Sequence, residues 1–152
     1  MFRALYVSSH VLPVREDGSA QAFVDISVQA TRNNVVFGID SFLLCTPHWF
    51  CQQIEGPEGA VRRMLHRIAG DPRHFDLRLI EARPAPRLLR EGWRFAMVYK
   101  SIENRLAFLE RGFSRAIVPY DRAADELLDL FASMDGVQPW TPPAEAALGL
   151  AH

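Results

Sequence analysis

Gly38-Ile39-Asp40-Ser41-Phe42-Leu43-Leu44-Cys45-Thr46-Pro47-His48-Trp49-Phe50-Cys51-Gln52-Gln53-Ile54-Glu55-Gly56 is the stretch whose reading decides the fold. Two apolar runs, Phe42 to Cys45 and Trp49 to Cys51, flank Thr46-Pro47-His48. A proline in a short break between such runs predicts a β-hairpin. A three-residue turn would pair Cys45 with Trp49, Leu44 with Phe50 and Phe42 with Gln52. Alternation then puts Asp40, Phe42, Leu44, Phe50, Gln52 and Ile54 on one face, and Leu43, Cys45, Trp49, Cys51 and Gln53 on the other. Both faces carry apolar residues, so the hairpin is expected to be central and covered on both sides. Gln52 is the odd member of its face. A buried primary amide left unpaired costs roughly 1–3 kcal/mol, so it needs partners. Either neighbouring protein groups satisfy it, or it faces a bound polar ligand.

Before the hairpin, Phe2 to Ser8 alternates as a first strand, with Phe2, Ala4 and Tyr6 on one face. Residues 10–19 read as a loop. Gln21 to Arg32 reads as a helix with Phe23, Ile26, Ser27 and Ala30 on one stripe and Ser19 as its N-cap. Asn33-Asn34 is expected to end it, since asparagine tolerates the left-handed conformation of helix ends. The pair is either only a cap or aims its amides at a ligand.

After the hairpin, Glu58 to Ala69 carries Val61, Met64, Leu65 and Ile68 at helical spacing, and Gly70-Asp71-Pro72 stops it. Phe75 to Ile80 and Trp93 to Tyr99 alternate as two more strands, separated by a break at Pro84-Ala85-Pro86. The order β-α-β-β-α-β-β predicts an α+β, ferredoxin-like, mixed five-stranded sheet with two helices on one face. Ile102 to Phe113 and Asp121 to Met134 read as two further helices, the second with Asp121 as N-cap. They are the natural cover for the face bearing Trp49 and Cys51. The expected organisation is a sheet domain over 1–100, a helical extension over 101–136 and a proline-rich tail over 137–152.

The 152 residues are 49% hydrophobic and 23% charged, with a net charge of −1. That is enough chain for one well-packed core. No basic stripe supports nucleic-acid binding, and no apolar run approaches the ~20 residues that span a bilayer. The chain opens on a strand-like run rather than a signal sequence, so a cytoplasmic protein is expected. Cys45 and Cys51 are expected as free thiols. The five histidines form no H-E-x-x-H, so no metal site is expected, and neither common phosphate-binding glycine loop is present. Glu55 and Asp71 carry no paired acid or base.

Residues 3 to 97 resemble the BLUF domain, the flavin-binding blue-light sensor of bacteria. The matching pieces are R-A-L-Y-V-S at Arg3 to Ser8, R-N-N at Arg32 to Asn34 and G-I at Gly38-Ile39. They continue as F-x-Q-x-I-E-G at Phe50 to Gly56, V-x-x-x-x-x-R-I-x-x-D-x-R-H at Val61 to His74, and Arg90 with Met97. The resemblance implies FAD between the first two helices, with FMN or riboflavin left open as the flavin. It places Tyr6 and Gln52 beside the flavin as the photoactive pair, with Met97 coupling the glutamine to the sheet. Asn33 and Asn34, with Arg67, Asp71 and Arg73, are implied to hold the cofactor. The implied function is a light-driven switch without substrate turnover. Tyr6 gives an electron and a proton, and a rearranged Gln52 amide changes its bond to the flavin.

Two departures from the family pattern stand out. Asp40-Ser41 replaces Thr-Gly, and the inferred register puts the Asp40 carboxylate on the flavin face as a further cofactor contact. Phe95-Ala96 replaces Trp-Ser before the methionine. A few extra residues follow Ser9. The resulting expectation is a stand-alone photoreceptor, not an enzyme, that signals through an unidentified protein partner or a homo-oligomer. The alternative is a BLUF-like interaction module with lost or altered flavin photochemistry. An acylphosphatase-like hydrolase on the same topology lacks any anion loop and would rest on fold alone.

Overall fold

A computed structural model describes residues 1–16, 19–89 and 93–134, the side chains of Trp93 and Arg94 excepted. The elements are β1 (Phe2–Ser9), α1 (Gln21–Phe37), β2 (Asp40–Cys45), β3 (Trp49–Gly56), α2 (Glu58–Ala69), β4 (Phe75–Pro84), β5 (Trp93–Met97), α3 (Ile102–Glu110) and α4 (Ala124–Ser133). The sheet runs in the order β4-β1-β3-β2-β5, with only the β2–β5 pair parallel. This is the expected ferredoxin-like α+β arrangement. Arg90 and the tail over 137–152 lie outside the described residues.

The hairpin forms between the two expected strands, but one residue out of the expected register. Cys45 pairs with Phe50, Leu44 with Cys51, Leu43 with Gln52 and Asp40 with Glu55. The cause is Thr46. Its hydroxyl oxygen accepts from the backbone N–H groups of His48 (3.3 Å) and Trp49 (3.0 Å), and its own N–H donates to the Trp49 carbonyl (3.0 Å). The turn therefore closes one residue later than a break of three would allow. A slip of one residue inverts a whole strand. Ser41, Leu43 and Cys45 share the face of Phe50, Gln52 and Ile54, whereas Asp40, Phe42 and Leu44 lie with Trp49, Cys51, Gln53 and Glu55. The two free cysteines consequently sit on opposite faces of the sheet.

Helix boundaries also move. α1 continues through Asn33-Asn34 to Phe37, because Gly38 supplies the left-handed cap (φ 66°). The N-caps are Ala20 and Ala123 rather than Ser19 and Asp121. β5 stops at Met97, where a 3-10 turn spans Val98–Lys100, and α3 stops at Glu110.

α1 and α2 cover one sheet face over Phe2, Ala4, Tyr6, Leu43, Phe50 and Ile54. α3 and α4 cover the other, as the apolar pattern predicts. Phe108, Phe113, Leu127, Leu130 and Phe131 bury Phe42, Leu44, Trp49 and Cys51 there. Trp49 stacks on Phe108 with ring centroids 5.7 Å apart, and its indole N–H donates to the Ser114 carbonyl at 3.0 Å. The same face holds a buried polar cluster. Glu55 is fully buried, lies 3.9 Å from Arg3, and accepts the backbone N–H groups of Leu88 and Leu89 at 3.0 and 2.6 Å. Arg3 also pairs with Glu81 at 2.9 Å. Glu55 thus ties the segment after β4 under the sheet. A Cβ on the adjacent Gly56 would come within 2.9 Å of Ile39, so no larger residue fits that corner without a shift.

Candidate functional site

The face under α1 and α2 opens into a cavity of about 570 Å³. Each strand contributes every second residue. β1 supplies Tyr6, β3 supplies Phe50 and Gln52, and β2 supplies Leu43. α1 supplies Ile26, Gln29, Ala30, Asn33 and Asn34, a helical stripe that exists because the helix runs past Asn34. α2 supplies Met64, His66, Arg67 and Ile68, and the loop after it supplies Gly70 to His74.

Tyr6 and Gln52 are direct partners across the β1–β3 ladder. The Tyr6 hydroxyl donates to Gln52 Oε1 at 2.6 Å, and both residues are buried. Burial, followed by the nearby Cys51, Cys45 and Asp71, raises the Tyr6 pKa well above the ordinary phenol value. The phenol therefore stays protonated and can only donate to Gln52. The carbonyl end of the glutamine thus has a protein partner. The same residue also lines the cavity.

Asn34 is buried near the end of α1, and its Nδ2 donates to Ser41 Oγ at 2.8 Å. That fixes the orientation of the amide. Asn33 lines the cavity one residue earlier. Asp71 accepts the Arg73 backbone N–H and guanidinium at 2.9 Å. Burial pushes the Asp71 carboxyl up, but the hydrogen bonds and charge of Arg73 outweigh it and hold its pKa below the ordinary value. The Arg73 guanidinium also donates to Gln29 of α1, bridging the two walls of the cavity. Arg67 lines the cavity with its guanidinium 5.3 Å above the Phe37 ring. Two arginines, Arg67 and Arg73, thus line the cavity together with the buried Tyr6–Gln52 pair.

Two expected residues are placed elsewhere. Asp40 lies on the other sheet face because of the register shift, and pairs with Arg87 at 2.8 Å. It is not a cavity residue, and the expected contact with the cofactor is withdrawn. Met97 is beside Cys45 on β5 and packs with the Leu43, Phe50 and Phe95 cluster, one layer away from the cavity lining.

Three further residues, to which the sequence assigned no place at the site, take part in it. Ser41, read only as a departure from a pattern, orients Asn34. Gln29 would have been found by extending the α1 stripe. His74 places Nδ1 2.7 Å from Ser8 Oγ and donates from Nε2 to the Ile68 carbonyl at 2.6 Å, while its ring meets the Tyr6 ring edge-on at 6.1 Å.

The donor set suits a flat, partly polar ring. Apolar side chains from α1, α2 and the sheet (Ile26, Ala30, Leu43, Phe50, Met64 and Ile68) offer two flat walls. Amides at Asn34 and Gln52 offer hydrogen bonds at an edge, and Arg67 and Arg73 offer charge to an anionic tail.

The family model for sensors of blue light using FAD matches residues 1–96. Among curated proteins, the blue light- and temperature-regulated antirepressor BluF of Escherichia coli K12 is 26% identical over 135 residues, covering 86% of this chain and 33% of that protein. The chain therefore spans about a third of the length of that relative. Among solved structures, the ground state of BlsA superposes with a TM-score of 0.71 at 16% identity, covering 99% of each chain. The dark state of BlrB, a BLUF protein, superposes with a TM-score of 0.61 at 22% identity, covering 87% of this chain and 96% of that one. At such identities the structural likeness speaks for the fold.

Proposed function

Because the chain belongs to the BLUF family, sensors of blue light using FAD, we propose that it is a photoreceptor whose light-sensitive pair is Tyr6 and Gln52. The observation that carries this reading is their 2.6 Å hydrogen bond at a cavity wall. A bound flavin supplies a strong oxidant on blue-light excitation, together with ring carbonyls and nitrogens for hydrogen bonding. FAD is the flavin proposed, as the family's description has it, and Arg67 and Arg73, both in the cavity lining, are the residues proposed to meet its phosphates.

The protein's own groups do the rest. Tyr6 is held neutral by burial and is an oxidisable phenol lining the cavity. Its proton already points at Gln52 Oε1, which can take it as the phenol loses an electron. Asn34, fixed by Ser41, holds the ligand's edge in place, and Asn33 and Asp71 complete that rim. Once its bond to Tyr6 is broken, the Gln52 amide can turn and present its other end to the cavity, because the same group donates from Nε2 and accepts at Oε1. Met97, which packs against the Phe50 cluster on β5, is the residue proposed to carry such a turn into the sheet. No substrate is converted, and the output is a change in strand packing.

Output is proposed to pass from the sheet domain over 1–100 to the helices over 101–136, and from there to a protein partner or a second copy. BluF is named as a blue light- and temperature-regulated antirepressor. Expression with added flavin and an absorption spectrum before and after blue light test the proposal. A yellow protein with a reversible shift to longer wavelength is expected. A colourless protein would select a plain interaction module, and a flavin spectrum that light does not move would reject the switch.

A further inference from the structure

The β1–β4 ladder breaks beside the cavity. Val7 pairs with Arg78 but Ser9 pairs with Phe75, so β4 carries one residue too many between those two pairs. That bulge holds Asp76, whose φ of 51° is unique among the described non-glycine residues. A bulge frees a strand carbonyl from its ladder. Here the freed carbonyl of Asp76 accepts the hydroxyl of Tyr120 at 2.7 Å. The Tyr120 oxygen is also 2.7 Å from Ser9 Oγ, on the other strand of the broken pair. The Arg78 guanidinium covers its ring at 4.1 Å.

Tyr120 belongs to the connection between α3 and α4, on the far side of the sheet from the cavity. Its ring packs against the core of that layer, the one containing Trp49 and Phe113. The residues on the cavity side of the bulge are Asp71, Arg73 and His74, all of which line the cavity. His74 is pinned to Ser8, the neighbour of Ser9, and its ring edges Tyr6. One phenol from the C-terminal layer therefore closes the gap in the strand pair that carries the cavity wall.

We infer that Tyr120 is a positioning residue for the flavin site, clamping the 71–76 wall and coupling it to the C-terminal helices. The inference rests on the photoreceptor reading above and names the point where the two layers meet. Coupling is reciprocal. A wall held by Tyr120 resists rearrangement around Tyr6, and a rearrangement around Tyr6 loads the α3–α4 connection.

Tyr120→Phe isolates the role, because it keeps the ring, its packing and the Arg78 contact while removing both hydrogen bonds. Tyr99→Phe, in the same layer, is the control. Two readouts are needed. Amide hydrogen exchange over 70–76, in the dark, is expected to quicken by roughly tenfold in Tyr120→Phe, since local opening is no longer opposed. Return of the absorption spectrum to its dark form after a light pulse is expected to change by at least roughly fivefold, the factor that one of the two lost hydrogen bonds carries. Tyr99→Phe should leave both unchanged. Unchanged exchange overturns the clamp. Faster exchange with an unchanged recovery rate overturns the coupling to the flavin site. A wild-type protein without any light-induced shift rejects the photoreceptor reading instead, and the exchange result still reports on the clamp.

Discussion

Gln52 and Gln53 leave the same strand in opposite directions and meet opposite fates. Gln52 accepts the Tyr6 hydroxyl at 2.6 Å beside the cavity. Gln53, 2% exposed on the other face, keeps its Nε2 without a hydrogen-bond partner, the one such buried side-chain atom among the described residues. The first amide is bound at its carbonyl end and borders open space. The second is enclosed between Leu5 and Phe42 on the neighbouring strands.

Gln53→Met should therefore raise stability. The thioether fills similar volume and removes an unpaired donor whose burial costs roughly 1–3 kcal/mol. Urea unfolding should show a gain of about 1 kcal/mol at unchanged slope.

Tyr6→Phe should lower stability by about 1 kcal/mol, the net value of a buried hydrogen bond, while retaining the fold. Bound flavin is expected to remain, with loss of the light-induced spectral shift. Chemical unfolding and a light-minus-dark spectrum measure the two effects separately.

Asp40→Asn should leave the flavin spectrum and its response to light as in the wild type. The carboxylate is on the far face of the sheet, paired with Arg87, whose side chain is 50% exposed. A displaced flavin band in Asp40→Asn would mean that the β2 register is wrong.

His10 makes stability depend on pH. It is buried, its ring stacks on Phe50 at 4.3 Å, and its Nε2 donates to the Thr46 carbonyl at 2.7 Å. Its Nδ1 accepts the Leu12 N–H, so the ring is neutral in the fold. Burial lowers its pKa below the ordinary value of 6.5, against the opposing bond to Thr46. The unfolded chain then binds the proton more readily than the folded one. Stability is full above about pH 6.5 and falls as the pH drops through the folded value. His10→Gln should lose less stability than the wild type between about pH 7.5 and pH 5.5, measured by urea unfolding.

The layers of this fold were legible because each rests on local periodicity. Alternation put Tyr6 and Gln52 each on one face of its own strand, and only the family resemblance brought the two together; the C-terminal helices could be assigned to the Trp49 face by elimination. Register was not legible, because it depends on where the Thr46 hydroxyl closes the turn. That single residue of slip moved Asp40 away from the site and brought Ser41 in. Asn33-Asn34 read as a helix end because asparagine suits one, yet Gly38, four residues beyond Asn34, takes the left-handed conformation. His74 and Tyr120 depend on a bulge in β4, and nothing in the alternation of Phe75 to Ile80 announces it.

The most direct test of the Tyr6–Gln52 switch is the light-minus-dark absorption spectrum of Gln52→Leu beside the wild type. The account predicts a yellow variant whose spectrum light leaves unmoved, next to a wild type whose band shifts reversibly to longer wavelength. A Gln52→Leu protein that shifts like the wild type would contradict it.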